Sequence, residues 1–276
     1  LFTGQHIRLA GSQTEKGALV ATPGMPLHAA MVGFLAGMGL ATIPVYKKPS
    51  IQLMQSGEEL VTPGKPLNFG QIYESNSYTI QAALREAHFD VSALPTLPDH
   101  FETIRDSISA GLDTHDVLLI MGGISVGDHD HVYRALQENG VETLFYKVKQ
   151  RPGKPFYAGT RGSKLVFALP GNPASTLTCF YTYVLPALQL LSGQREDFPE
   201  GRMLTASEAF VKKVPLTLLL KGIYAEGEVR ILGGQESYKM DAFAQANCIV
   251  EVPESQEKVE AGSHVRVYPF RYKPIN

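Results

Sequence analysis

Asp116 is followed by five uninterrupted apolar residues, Val-Leu-Leu-Ile-Met121, which run straight into Gly122-Gly123-Ile124-Ser125-Val126-Gly127. Neighbouring residues of a strand point to opposite faces, so a run that is apolar throughout must be covered on both sides. Strands of that kind sit in parallel sheets flanked by helices. The flanking sequence agrees. Stretches 51–54, 89–94, 143–149 and 164–169 also read as strands, and 70–87, 99–110, 132–138 and 174–191 as helices. On one face of 99–110 lie Phe101, Ile104 and Ile108, the helical spacing. This alternation predicts an α/β fold, a mostly parallel sheet sandwiched by helices, over 48–195.

Before it, residues 1–47 are mixed, with a helical pattern at 27–38 and a candidate edge strand at 41–46 that tolerates Pro44. After it, 196–276 change character. Short β-prone runs at 229–232, 248–252 and 264–267 alternate with glycine turns and no amphipathic helix, which predicts a small all-β barrel or sandwich. A length of 276 residues suits two domains, or three short ones.

Composition excludes several classes. With 25 Lys and Arg against 27 Asp and Glu, the net charge of -2 argues against a globally basic nucleic-acid binder. Cys179 and Cys248 make neither a disulfide framework nor a four-ligand zinc site, so a reducing cytoplasm is expected. No charge occurs between Leu165 and Gln194, but Pro170, Pro173 and Pro186 interrupt the stretch, which predicts a buried helix rather than a membrane span. The N-terminus has no Met, basic n-region or apolar h-region. It reads as a chain entered partway, not as a signal peptide.

Ligands of open parallel sheets bind beyond the carboxyl ends of the strands. The loop Gly122 to Asp130 is the strongest candidate. Its glycines let backbone amides approach an anion, Ser125 adds a hydroxyl, and Asp128 and Asp130 suggest a divalent cation or an acid holding a polar ring. A plain glycine turn with an aspartate capping the next helix fits the spacing equally well. In Leu169-Pro170-Gly171-Asn172-Pro173, Asn172 suits a helix cap and Pro173 the first helical turn, which would leave free amides for an anion. Lys147, Lys149, Arg151, Lys154, Arg161 and Lys164 fall between Leu144 and Leu165 with no acid among them, a local positive field suited to phosphate or an oxyanion. Weaker signals are Ser56-Gly57-Glu58-Glu59 and Gly70-Gln71-Ile72-Tyr73-Glu74-Ser75-Asn76. Asp99 could equally be a helix cap. The eight histidines show no metal-ligand spacing, and Cys179 reads as packing.

Taken together, Ser56 to Leu60, Gly70 to Asn76, Gly122 to Asp130, Arg151-Pro152-Gly153-Lys154-Pro155 and Leu169 to Pro173 resemble the molybdopterin molybdenumtransferase family, the MoeA proteins, related to plant molybdenum-cofactor proteins and gephyrin E domains. Ala244-Gln245-Ala246-Asn247 before an apolar strand is similar to the family's last domain. The resemblance implies three parts: 1–47, a remnant of an N-terminal or linker domain; 48–195, a molybdopterin-binding domain; 196–276, a C-terminal barrel. It also implies that much of the family's N-terminal region, including a second domain, is lacking.

The implied reaction inserts molybdate into adenylylated molybdopterin and releases AMP, with Mg2+ or another divalent cation. By position, Glu59, Asp99 and Asp130 match the family's acids, Glu59 and Asp130 being the implied cation ligands. Lys147, Arg151 and Lys154 match its basic group. Gly122, Gly123, Ser125, Gly127, Gly171, Asn172 and Pro173 match the pterin-phosphate cradle. Implied partners are an upstream molybdopterin adenylyltransferase and a second copy in a homodimer, with no nucleic acid and no membrane. Two departures stand out: Gln13 where the family usually has an acid, and Glu74 where it usually has Asp. They leave open a catalytically weakened molybdopterin-binding module of scaffold type. The adenylyltransferase step itself is disfavoured, because that fold is a single domain without the Pro-Gly-Lys-Pro turn or the C-terminal β domain.

Overall fold

The structure is a computed structural model and describes residues 3–124, 131–194 and 201–270. In chain order come α1 (Ala29–Gly37), β1 (Ile51–Gln55), β2 (Leu60–Val61), β3 (Ile72–Tyr73), α2 (Asn76–Glu86), β4 (Val91–Ala93), α3 (Phe101–Thr114) and β5 (Val117–Met121). They are followed by α4 (His131–Glu138), β6 (Glu142–Tyr146), β7 (Gln150–Arg151), β8 (Tyr157–Arg161), β9 (Lys164–Leu169), α5 (Pro173–Cys179), a π-helical turn (Phe180–Val184) and α6 (Leu185–Leu191). The last stretch holds β10 (Arg202–Ala206), β11 (Phe210–Val211), β12 (Thr217–Ala225), β13 (Glu228–Ile231), α7 (Asp241–Gln245), β14 (Cys248–Val252), β15 (Lys258–Val259) and β16 (His264–Pro269).

The central sheet has the order β4-β1-β5-β9-β8-β6. Strands β4, β1, β5 and β9 are parallel, whereas β8 is antiparallel to both its neighbours, so β6 points the same way as β9. The alternating faces explain the continuous apolar runs. Ile51, Leu53, Val117, Leu119, Met121, Phe167 and Leu169 share one core with α2 and α5, while Met54, Leu118, Ile120, Val166 and Ala168 share the other with α3 and α4. One pairing row crosses five of the six strands: Met54–Ile120–Ala168–Tyr157–Tyr146.

Near the C-terminus, β13-β10-β16-β14-β12 form a barrel that closes through β12–β13. Closure removes free edges. Val229, Val250, Val252, Val265 and Val267 fill its interior. The barrel is bound to the sheet domain in two ways. β7 adds to β12 through Gln150–Thr217 and Arg151–Leu218, and Leu219, Phe243, Ile249 and Phe270 join the core that contains Phe180 and Val184.

Several expectations need correction. Residues 41–46 form no strand: Val45 and Tyr46 are exposed, and nothing pairs with them among the described residues. The helix predicted over 70–87 begins only at Asn76, because the Ile72 and Glu74 amides donate to Glu59 and Val61 and make β3 instead. The long helix predicted over 174–191 is interrupted at the π-turn, where the Leu185 amide donates to Phe180, five residues back. Pro186 has no amide and would clash with the carbonyl four residues earlier, at Thr182, in a regular helix. A short helix, α7, lies in the region predicted to be all-β.

Candidate functional site

The rim is built where β1, β5 and β9 end side by side, and Ser56 is its hub. Its amide donates to Met121 at 3.1 Å, and the Leu97 amide donates to the Gln55 carbonyl beside it at 2.7 Å. Gly122, with φ +79°, passes so close that a methyl group there would lie 2.5 Å from the Ser56 carbonyl oxygen. A methyl on Gly123 would lie 3.6 Å from Ser56 Oγ and collide with Val132. Gly171 closes the third side, its missing methyl falling 3.8 Å from Gly122 Cα, and the Asn76 amide nitrogen donates to the Gly171 carbonyl at 2.7 Å. Gly122 therefore does what the sequence asks of a glycine, letting its backbone meet that of Ser56; Gly123 is held small by Val132, and Gly171 sits in ordinary contact with Gly122.

The acids stand around this hub. Asp99 is exposed and accepts from Ser56 Oγ at 3.4 Å. It does not cap α3, whose cap position is His100. Glu59 is also exposed, but its backbone is pinned: the Ile72 amide donates to its carbonyl at 2.9 Å. Glu74 is buried, and its carboxylate accepts from the Ser77 amide at 2.8 Å and from the Ser77 hydroxyl. That carboxylate serves the first turn of α2.

At α5 the expectation of free amides is largely overturned. Pro173 has none, and the Ala174 amide donates to the Ser237 carbonyl of the C-terminal barrel domain at 3.0 Å. Asn172 holds the cap position, yet its side chain makes no capping hydrogen bond and is exposed.

The six basic residues divide into two groups. Lys149, Arg161 and Lys164 pair with Glu254, Asp113 and Asp116 at 3.2, 2.6 and 3.4 Å. Lys147, Arg151 and Lys154 are exposed and pair with no acid among the described residues; Lys147 lies over the Tyr146 ring, 4.7 Å from its centre. Lys147 follows β6, so it leaves the sheet at the same end as β9, whose strand end lies two strands, about 10 Å, away. The Arg151-Pro152-Gly153-Lys154 turn packs on α5: a methyl on Gly153 would overlap Cys179 Sγ, and Gln150 Nε2 donates to the Pro152 carbonyl at 3.1 Å. Cys179 is thus a packing residue, and burial pushes its thiol pKa up.

Ser125, Gly127 and Asp130 lie outside the described residues. Glu59 and Asp99 offer oxygen donors to a hard cation such as Mg2+, but no cluster of three His, Cys, Asp or Glu side chains occurs among the described residues. Sequence reasoning missed Gln55 and named Asn76 only as the last residue of the weak Gly70–Asn76 signal. Both are buried under the rim, and their amide oxygens have no partner among the described residues. It also missed Ser237, which contributes a backbone carbonyl and so leaves no side-chain signature.

Two family descriptions match: "Probable molybdopterin binding domain" over 54–190 and "MoeA C-terminal region (domain IV)" over 204–270. A Haemophilus influenzae protein named molybdopterin molybdenumtransferase is 32% identical over 97% of this chain and 68% of its own length. A Staphylococcus aureus protein of the same name is 30% identical over 95% and 64%. Among solved structures, the MoeA molybdopterin biosynthesis protein of Pyrococcus horikoshii superposes with a TM-score of 0.80 at 28% identity, covering 95% of this chain and 64% of that one. The chain thus spans about two thirds of the length of these relatives. Two matched regions in the right order, with this identity across nearly the whole chain, mean that it belongs to the molybdopterin molybdenumtransferase family.

Proposed function

We propose that this chain inserts molybdate into adenylylated molybdopterin and releases AMP, with the rim around Ser56 as the binding site. The observation that carries the reading is the meeting of strand-end loops at Ser56, Gly122 and Gly171, with the Asp99 carboxylate bonded to Ser56 Oγ and with Lys147, Arg151 and Lys154 exposed and paired with no acid among the described residues. Backbone amides at such a rim can approach a phosphate, and carboxylates and cations are the side chains that a phosphorylated, oxyanion-binding reaction uses.

Each group has a role in this reading. Gly122, Gly123, Ser125, Gly127, Gly171, Asn172 and Pro173 cradle the pterin phosphate. Lys147, Arg151 and Lys154 attract molybdate and the charge that develops on the phosphoanhydride. Glu59, Asp99 and Asp130 orient the attacking water, and Glu59 with Asp130 would hold a divalent cation that neutralises phosphate charge. Gln55 and Asn76, whose buried amide oxygens have no partner among the described residues, lie beneath this cradle. The protein would work as a homodimer in the cytoplasm, downstream of a molybdopterin adenylyltransferase. The three-part division at 47/48 and 195/196 belongs to the same proposal.

A second reading, a binding module with weakened chemistry, is favoured by Gln13, an exposed amide where the family usually has an acid. Incubation with adenylylated molybdopterin and molybdate separates the two. AMP release supports the enzyme; ligand binding without AMP release supports the module.

A further inference from the structure

Lys221 is an unusual residue for the middle of a barrel strand. It is 3% exposed, and no carboxylate among the described residues bonds to it. Buried ammonium groups need every proton satisfied. Here the three protons meet three backbone carbonyls: Gly234 at 2.6 Å, Lys239 at 3.1 Å and Glu236 at 3.2 Å. The Glu236 carboxylate faces Lys239 instead, at 3.9 Å. Gln235 grips the same strand from the loop, accepting from the Lys221 amide at 3.0 Å and donating to the Lys221 and Leu232 carbonyls at 2.9 and 2.7 Å. One side chain and one amide clamp therefore fix the chain from Gly234 to Lys239. Ser237 lies inside that span, and its carbonyl takes the Ala174 amide.

We propose that Lys221 is a positioning residue: its ammonium gathers three carbonyls of the 234–239 loop, so that Ser237 closes on the turn between β9 and α5. The loop becomes a wall of the rim, and the C-terminal barrel sets the position of Gly171, Asn172 and Pro173. Its importance for ligand binding rests on the function proposed above; the mechanical link does not.

The test uses the full chain with Lys221→Met, which keeps length and removes the cation, and Lys221→Arg, which keeps the charge. Lys212→Met is the control, because Lys212 likewise donates to two carbonyls, Pro253 and Glu254, but beyond the Leu218–Val252 pair, outside the 234–239 loop. Amide exchange of Ala174 and of residues 234–240 should rise about tenfold in Lys221→Met, with Lys221→Arg restoring most of the protection and Lys212→Met leaving it unchanged. AMP, titrated by calorimetry, should bind about fivefold more weakly to Lys221→Met. If Lys221→Met does not fold, Gln235→Ala releases the same loop and should raise the same exchange rates. Unchanged exchange at Ala174 in a folded variant overturns the proposal. Raised exchange with no AMP binding by any form, wild type included, leaves Lys221 as the clamp and overturns the function instead.

Discussion

The Ala174 amide at the start of α5 donates to the Ser237 carbonyl at 3.0 Å, so the helix is closed by the barrel domain and not by its own cap residue, Asn172. The usual link between a cap-position asparagine and helix stability is broken here. A capping asparagine typically contributes about 1 kcal/mol. Asn172→Ala should therefore lower stability by less than about 0.5 kcal/mol while weakening AMP binding. Urea unfolding and calorimetric titration check both halves. A loss of stability typical of a cap, with unchanged AMP affinity, would make Asn172 structural.

Gly122 combines a positive φ with backbone contact. An alanine there meets about 1–2 kcal/mol of left-handed strain before any clash with Ser56 is counted. Gly122→Ala should destabilise the fold by more than that and abolish ligand binding. A variant as stable as wild type in urea would mean that the close approach at Ser56 is not needed.

Lys154 is exposed and has no acidic partner among the described residues. Lys154→Ala should leave the melting temperature unchanged and raise the molybdate concentration needed for half-maximal activity about tenfold, as loss of a charge-assisted contact does. Lys164→Ala, which removes the partner of Asp116, should leave the molybdate requirement where it was. Equal effects of the two variants would show a diffuse field rather than a specific group.

Asp116 marks the opposite end of the sheet. Its carboxylate accepts from the Ser50 amide at 2.9 Å and the Ser50 hydroxyl at 2.7 Å, and these bonds, aided by Lys164, lower its pKa from 3.8 to about 2. A depressed carboxylate stabilises the fold above its unfolded pKa and loses that effect as pH falls through the folded value. The stability gap between wild type and Asp116→Asn should be constant above about pH 5 and shrink progressively towards about pH 1. A gap independent of pH over that window would show that the charged form is not what Ser50 recognises.

The parts of the fold written most clearly in the sequence are those where one force dominates. Val117 to Met121 is buried on both faces, so its apolar run identifies a central strand, and the glycines after it place a loop at the rim. Strand β12 was hidden because Lys221 and Gly222 break its apolar run, and a lysine buried among carbonyls is rare. Strand β8 was hidden by Gly159, where a methyl would strike the Tyr157 hydroxyl and the Glu142 carbonyl. At the site, the sequence picks out Glu59, Asp99, Gly122 and Lys154 by residue type. It carries no sign of Ser237, which contributes through its backbone, nor of which three of the six cations find no acidic partner among the described residues. That division depends on where Asp113, Asp116 and Glu254 fold.

AMP release from adenylylated molybdopterin in the presence of molybdate tests the central claim most directly, with wild type compared against Asp99→Asn. The account predicts molybdate-dependent AMP release by wild type and at least a tenfold loss in the variant, whose fold stays intact. Equal release by both would remove Asp99 from the chemistry, and no release by a wild-type chain that binds the substrate would contradict the enzymatic function itself.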